Sequence, residues 1–297
     1  MGLQIEPLSR AALVESARLS IAKGSKSFAL ASRLFDQATR ERAWLLYSWC
    51  RACDDLADGQ DHGGEMSAVS DPHVRLAHIR DMTERALRGE STGDPAFDAL
   101  GLVVAECNIP HDWPRDLVQG FAMDADGFSP RTTQDMLTYC YHVAGVVGLM
   151  MAVVMGVDPE DQETLAHAND LGLAFQLANI VRDIGEDASA GRCYIPATWL
   201  GKADIGPGEH MKPHYRNALA GIAAKFAEMA GEYEASARIG ARKLPFRSRW
   251  AVLSAAGIYG DIAREVARRG EHAWDSRVFT SKAAKLGWVA RAMIQAR

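Results

Sequence analysis

Apolar side chains recur every three to four residues through most of the chain, the spacing of one face of an α-helix. No segment alternates apolar and polar residues between turn residues, and no Asn-Gly pair marks a hairpin. The loops near 59–71, 89–94 and 201–212 are too short to be clear domain linkers. We therefore expect one all-α domain over residues 1–297. The predicted helices cover residues 9–23, 37–58, 72–89, 95–107, 114–125, 132–156, 159–186, 213–240, 247–269 and 280–295.

Prolines and acids mark where several of these helices begin. In "DPEDQET", Asp158 can cap a helix whose first turn holds Pro159 and acids near the positive end of the helix dipole. The sequence predicts that this helix begins at Pro159.

The longest uncharged run, residues 136–157, is long enough on paper to cross a bilayer. Its first third, residues 138–142, is polar or aromatic, which leaves only about fifteen consistently apolar residues where a span needs ~20. We interpret this run as a buried core helix.

The charge and cysteine content of the chain limit its partners and its cellular compartment but do not identify its function. The net charge of −5 gives little support for a nucleic-acid partner, yet the chain from Arg238 onward carries 13 Lys and Arg against 4 Asp and Glu. This basic region is either a solvated face or a surface that attracts an anionic substrate or membrane. Five cysteines without a secretory signal indicate reduced thiols in the cytoplasm. Cys50 and Cys53 form a lone CxxC, and we expect them to be buried structural thiols.

The spacing Asp-x-x-x-Asp occurs at Asp54/Asp58, Asp94/Asp98, Asp112/Asp116 and Asp183/Asp187. The middle two pairs enclose prolines, so we expect those acids to cap the starts of helices. The outer two pairs differ because each lies late in a long helix with apolar periodicity.

Each outer pair shares a narrow stripe of its helix with other polar groups. At 100° per residue, the first stripe spans about 60° and contains Tyr47, Arg51, Asp54 and Asp58. The second spans about 80° and contains Gln176, Asn179, Asp183 and Asp187. Two solvated acidic helix ends are the alternative, because exposed like charges at this spacing cost only ~0.2–0.5 kcal/mol.

A divalent cation would offset this repulsion. Oxygen ligands on a rigid scaffold suit Mg²⁺, which keeps several waters and shares its coordination shell with substrate phosphates. Arg51 and Arg182, one in each motif, could neutralise the oxygens of a departing diphosphate. We therefore predict a Mg²⁺-dependent diphosphate site.

At these residues the chain resembles the squalene/phytoene synthase family of head-to-head prenyl transferases, and within it the phytoene synthase branch. The resemblance runs from about residue 20 to 285 and is carried by "GSKSF", "YSWCRACDDLAD", "YCYHVAGVVGLMM", "QLANIVRDIGEDASAGRCYIP" and "SRWAVLSAAGIYGDIAREVARRG". It implies a single isoprenoid synthase domain whose helices surround a central cavity.

The resemblance also implies roles for particular residues. The metal ligands would be Asp54, Asp58, Asp183 and Asp187, assisted by Asn179. Tyr47 and Arg51 match positions ahead of the first motif. The implied substrate-binding residues are Ser25, Ser27, Phe28, Tyr139, Gln176, Arg182, Tyr194, Tyr259 and Arg277, with Tyr141 as an alternative to Tyr139.

Some of these positions also have ordinary structural interpretations. Tyr194 and Tyr259 could be core aromatic residues, and Arg277 could belong to the basic region. Gly145, Gly148 and Ala152 form a small-residue stripe that either packs against a helix or leaves room for a prenyl tail, and we favour packing.

The implied reaction joins two geranylgeranyl diphosphates through prephytoene diphosphate to phytoene, the first step of carotenoid biosynthesis. Mg²⁺ is the implied cofactor, Mn²⁺ could substitute, and no NADPH is expected. Two alternatives stay open: a C30 enzyme that uses farnesyl diphosphate, and a catalytically silent relative acting as an assembly or binding protein. The intact aspartates weaken the second.

We expect a cytoplasmic protein without an obligate protein partner, leaving peripheral contact with the inner membrane surface open. Lys282 and Lys285 face one side of the last predicted helix and Arg291 the other, so we expect any such contact to be weak.

Overall fold

The computed structural model describes residues 8–24, 29, 31–59 and 71–297. The described residues contain helices, turns and loops but no strand, which confirms the predicted all-α class. They fall into two compact units. Unit 1 comprises residues 1–125 and 149–162, and unit 2 comprises 126–148 and 163–297. The single domain expected from the sequence stays a prediction.

In the part of unit 1 that the structure describes, four helices pack around a fifth, central one. Helix α2 contacts the other four, and its Trp49, Leu45 and Leu46 are almost fully buried, as are Phe97 and Leu100 of α4. The helices are α1 (Arg10–Gly24), α2 (Gln37–Asp58), α3 (Pro72–Leu87), α4 (Pro95–Cys107) and α5 (Asp112–Ala125). This core determines which face of α2 remains available for chemistry.

The remaining helices lie in unit 2, apart from the C-terminal part of α7 and the first residue of α8. Helix α11 packs against both α10 and α12. The helices are α6 (Thr133–Cys140), α7 (Val146–Val154), α8 (Gln162–Ser189), α9 (Ala197–Lys202), α10 (Arg216–Gly240), α11 (Phe246–Arg269) and α12 (Lys282–Gln295).

Local capping explains several helix boundaries. Asp36 accepts a hydrogen bond from the Thr39 backbone N–H at the start of α2, and Gly59 ends that helix in the left-handed conformation with φ 65°. Thr132 and Asp135 form a reciprocal capping box at the start of α6. Because these caps form between residues close in sequence, the helix ends predicted from the sequence lie close to the observed ones.

A π-helical turn, Tyr141–Gly145, separates α6 from α7. The sequence predicted an unbroken helix over 132–156. A π turn inserts one residue per turn and shifts the faces of the two flanking helical segments.

Small residues on both sides of this turn allow the backbone of α8 to approach closely. A β-carbon at Gly148 would lie 2.2 Å from the Ala168 carbonyl oxygen, and one at Gly172 would lie 2.3 Å from the Ala144 carbonyl oxygen. A β-carbon at Gly145 would lie 2.3 Å from Asn169 Oδ1. The packing interpretation of Gly145 and Gly148 is therefore confirmed.

Two further boundaries differ from prediction. Helix α8 begins at Gln162, because Asp158 accepts a hydrogen bond from the Glu160 backbone N–H at 2.9 Å and caps a turn instead of a helix. The helix Ala197–Lys202 was missed, since its six residues are too few to show a helical period.

Among the described residues, one helical stretch, Thr133–Val154, is long and apolar enough to cross a membrane, and 50% of its most apolar window is buried inside the protein. Met136, Cys140, Val146 and Met150 are fully buried. This burial agrees with the predicted core helix.

The close approach at Gly172 yields the first testable prediction. Gly172→Ala should destabilise the protein by about 1–3 kcal/mol, because the new methyl group overlaps backbone atoms that cannot move aside. Urea denaturation of the two proteins measures this difference.

Gly221→Ala in α10 is the matched control. Nothing lies within 4 Å of a β-carbon at that exposed helical position, so the substitution should stabilise the protein by up to ~1 kcal/mol. Equal effects at Gly172 and Gly221 would contradict the packing inferred here.

Candidate active site

The first acidic motif lies in the last two turns of α2, where Cys53 is the last buried residue of the helix. Arg51 donates to Asp55 Oδ1 in a short hydrogen bond between side chains that are only 20% and 14% exposed. The sequence analysis had placed Arg51 on the same stripe of the helix as Asp54 and Asp58. Asp55 is thus a residue that the sequence analysis did not assign, although its four-residue spacing from Arg51 is a usable signal.

Asp54 is the electrostatically unsatisfied member of this motif. Desolvation by the surrounding protein raises the pKa of Asp54 to about 7, and the Arg51 guanidinium opposes this only in part. The carboxylates of Asp58, Asp55 and Asp124 raise the pKa further. Because its side chain also keeps solvent-accessible surface, Asp54 is open to a bound cation as well as to a proton.

Tyr47 lies two turns before the acids on the same helix. A β-carbon at Gly24 would lie 2.5 Å from the Tyr47 hydroxyl oxygen, so the end of α1 packs directly on this ring. Burial raises the pKa of Tyr47 to about 12, which keeps the phenol neutral. Ser25, Ser27 and Phe28, predicted to bind substrate, lie outside the described residues.

The second acidic motif lies near the end of α8. Arg182 donates to both carboxylate oxygens of Asp183, at 2.7 and 2.5 Å, and Arg277 lies 3.1 Å from Asp183 Oδ1. Arg277 also donates to Glu186 in a short hydrogen bond. Arg277 thus contacts the second motif although it lies 94 positions after Asp183 in the sequence. Glu186, which the sequence analysis did not assign, is a further acid at this motif.

The loop that carries Arg277 is held against α8 by a tryptophan. Trp274 Nε1 donates to the Val181 carbonyl oxygen at 2.9 Å. This contact fixes Arg277 relative to the two acids that it pairs with. Ordinary sequence patterns contain no signal for such a contact.

The amides of the second stripe also meet. Asn179 Nδ2 lies 3.4 Å from Gln176 Oε1, a long hydrogen bond between residues one turn apart. Asn179 makes this contact through its amide nitrogen, and its role as a metal ligand stays a prediction. Asp187 follows on the same helix and is half-buried.

The predicted aromatic residues separate into two groups within unit 2. The Tyr259 ring stacks on Phe175 with centroids 4.2 Å apart, and burial raises the Tyr259 pKa while the charge of Arg182 opposes this. Tyr139 and Tyr194 stack on each other at 4.8 Å and are only 4% and 7% exposed. Tyr141 is half-exposed beside His142.

The other two acidic pairs make local contacts, and the predicted capping is confirmed for Asp94. Asp94 accepts from the Ala96 backbone N–H and caps α4, and Asp98 accepts from the Thr92 backbone N–H at 2.7 Å. Asp112 starts α5 and pairs with Arg115. These pairs are controls for the two candidate motifs.

All five cysteines are free thiols. Burial raises the pKa of Cys50 and Cys53 on α2. Thiols held in the protonated form are poor metal ligands and nucleophiles, so the expected structural role of this CxxC is supported.

Comparison with known proteins places these motifs in a family. The model of the squalene/phytoene synthase family matches residues 21–284. The chain is 45% identical to a phytoene synthase from Pseudescherichia vulneris and 43% identical to a 15-cis-phytoene synthase from Pantoea ananas. Each alignment covers 94% of this chain and 90% of the relative. The chain therefore belongs to the squalene/phytoene synthase family.

Solved structures agree on the fold. A dehydrosqualene synthase in complex with a ligand superposes with a TM-score of 0.82 at 25% identity, covering 95% of this chain and 96% of the other. A squalene synthase from Alicyclobacillus acidocaldarius gives 0.77 at 23% identity, covering 88% and 95%. The predicted isoprenoid synthase fold is confirmed.

The raised pKa of Asp54 yields the second prediction. A carboxyl whose pKa is raised on folding binds its proton more tightly in the folded state, so its ionisation removes stability as the pH rises from about 4 to 7. Asp54→Asn should therefore raise the melting temperature of the metal-free protein, by an amount that grows across this range and then levels off.

Thermal melts in EDTA at closely spaced pH values measure this difference. Asp81→Asn, an exposed acid on α3, is the control and should show no such dependence. A pH-independent effect of Asp54→Asn would contradict the electrostatic origin.

Proposed function

We propose that this protein is a prenyltransferase that joins two molecules of geranylgeranyl diphosphate into phytoene, the first step of carotenoid biosynthesis. The observation that carries the proposal is an alignment of 43–45% identity over nearly the whole chain with phytoene synthases. Loss of the first diphosphate gives an allylic cation, which the C2=C3 bond of the second substrate attacks. Proton loss closes a cyclopropane, and a second ionisation, rearrangement and proton loss give phytoene.

The donor set fits Mg²⁺, and Mn²⁺ could replace it. The proposed ligands offer only oxygen, namely Asp54, Asp58, Asp183, Asp187 and the amide of Asn179. Within the described ranges, no group of three or more His, Cys, Asp or Glu side chains is placed to hold an ion alone. That suits an ion that shares its coordination shell with water and substrate phosphates. When bound, Mg²⁺ would neutralise the diphosphate and assist its departure.

The arginines of each motif are suited to binding diphosphate oxygens. Arg182 and Arg277 are held beside Asp183, and Arg51 beside Asp55, so all three guanidiniums are already oriented before substrate arrives. Positioned cations of this kind stabilise negative charge as it develops, without reorganisation during the reaction. Gln176 contacts substrate from the same face of α8.

Aromatic rings protect and stabilise the cationic intermediates. Tyr259 remains neutral because burial raises its pKa, and its stacking on Phe175 fixes the direction of the ring face. Tyr47 is likewise a neutral phenol. Tyr139 and Tyr194 support the site as a packed pair, and water is kept from the cations by such apolar surroundings.

The protein acts in the cytoplasm, where its free cysteines stay reduced, and contacts the inner membrane surface peripherally. No NADPH takes part, because phytoene's central double bond forms by loss of a proton. A squalene synthase needs a hydride at that step.

The product provides the third prediction. Purified protein with Mg²⁺ and geranylgeranyl diphosphate should release a C40 hydrocarbon without any nicotinamide, detected by mass analysis. Farnesyl diphosphate should react more slowly, since its shorter tail forfeits ~0.8 kcal/mol for each buried CH₂ that is lost.

A C30 product made preferentially in parallel assays would identify the farnesyl-diphosphate enzyme instead. Absence of product from either substrate, with metal present, would favour the silent relative.

The acids provide the fourth prediction. Asp54→Asn, Asp58→Asn, Asp183→Asn and Asp187→Asn should each lower kcat by ~10²-fold or more, the scale of losing one electrostatic contact to a transition state. Asn at Asp94, Asp98, Asp112 or Asp116 should change kcat little, because these acids lie outside the two motifs. Asp94 caps α4, and asparagine caps equally well. Asp98 accepts from the Thr92 backbone N–H, and Asp112 pairs with Arg115. Circular dichroism verifies folding. Equal losses in the two sets would refute the assignment.

A further inference from the structure

The C-terminal helix α12 presents apolar side chains to solvent. Leu286 is 62% exposed and Ile294 is 70% exposed. Phe279, just before the helix, is 75% exposed, the highest value among the large apolar side chains that the structure describes. Single exposed apolar residues are common, but several along one helix call for an explanation.

The opposite side of α12 is anchored, so this exposed face is a fixed property of the fold. Trp288 Nε1 donates to Asp261 in a short hydrogen bond, and Trp250 Nε1 donates to the Val289 carbonyl oxygen at 2.8 Å. Ala292 and Ala296 are buried in an apolar cluster with residues of the preceding helices. Rotation of α12 to hide Leu286 and Ile294 would break all these contacts.

The outward face has a regular layout. At 100° per residue, Leu286 and Ile294 lie about 40° to either side of Ala290, and Ala283 and Gly287 fill the same sector. Lys282 and Arg291 lie at the two edges, about 80° and 100° from Ala290. Both are exposed. The helix thus presents an apolar stripe bordered on each side by a cation.

The charge of this segment indicates what covers the stripe. Residues 277–297 contain five Lys and Arg and no Asp or Glu. An anionic lipid surface complements both features, since headgroups attract the bordering cations while the apolar stripe enters the acyl boundary. The long stems of Lys and Arg let their charges reach the headgroups from the edges of an embedded helix.

We propose that this face of α12, with Phe279, is the surface through which the protein binds an anionic membrane. The helix lies in the plane of the interface, with Leu286 and Ile294 inserted. Lys282 and Arg291 border the inserted stripe on its two sides. The proposal deepens the peripheral contact included in the proposed function, in which a C40 hydrocarbon product has to leave for a lipid phase.

Co-sedimentation of the full-length protein with vesicles tests this proposal. The vesicles contain either phosphatidylcholine alone or phosphatidylcholine with phosphatidylglycerol. Leu286→Gln/Ile294→Gln should weaken binding to the mixed vesicles by at least ~10-fold at both low and high salt, since two inserted side chains are lost. Lys282→Gln/Arg291→Gln should weaken it by ~10-fold at low salt and much less at high salt, because salt screens exposed charges.

Leu19→Gln/Val74→Gln is the matched control. It places the same substitutions at exposed apolar positions of unit 1, 47% and 62% exposed, and should leave vesicle binding unchanged. Each single substitution at Leu286 and Ile294 is also tested, so misfolding of the double variant would not remove the comparison. Equal binding by wild type and Leu286→Gln/Ile294→Gln overturns the proposal, as does an equal loss in the control.

Analytical ultracentrifugation tests the alternative that a second copy of the chain covers this face. Two results together would overturn the proposal: the wild-type protein forms a dimer that Leu286→Gln/Ile294→Gln dissociates, and the wild-type protein does not bind vesicles. They would assign this face to a second copy of the chain. Vesicle binding needs no substrate. Loss of the proposed catalytic function would leave this readout intact, and failure of membrane binding would leave product formation in detergent intact.

Discussion

Repulsion among carboxylates near the ends of two helices is the constraint on which the rest of this structure depends. Neither helix could hold its acids at low cost without nearby cations, and each motif has its own. Arg51 pairs with Asp55 on α2, and Arg182 and Arg277 pair with Asp183 on α8. The Arg51–Asp55 and Arg182–Asp183 pairs are partly buried, where charges interact more strongly than at an exposed surface.

The compensation is unequal in the two motifs. Asp183 pairs with two guanidiniums. Desolvation raises the pKa of Asp54, and the charge of Arg51, which donates to Asp55, opposes this only in part. The first motif therefore has the greater need for a proton or a metal ion, while the second already holds the arginines that a diphosphate requires.

Such charges can be held in place only by a rigid support. In unit 2, glycines at 145, 148 and 172 bring the backbone of α8 against its neighbours, and the π turn Tyr141–Gly145 adjusts the register of the flanking segments. Trp274 fixes the loop that carries Arg277. In the same unit, Trp288 and Trp250 fix the face of α12 that the membrane proposal concerns. Packing contacts therefore determine where the functional side chains point.

The sequence by itself determined the all-α class, most helix boundaries, the two acidic stripes and the capping role of Asp94. These features are local, because helical periodicity and caps depend on residues within a few positions of one another. Only the tertiary structure decided that Arg277 joins Asp183, that the helix predicted over 132–156 contains a π turn, and that Tyr139 stacks on Tyr194. The four-residue spacing of Arg51 and Asp55 made their pairing predictable from the sequence. Which of the three neighbouring carboxylates Arg51 selects, however, depends on side-chain packing. Contacts between residues far apart in the sequence depend on the whole fold, so local sequence patterns cannot predict them.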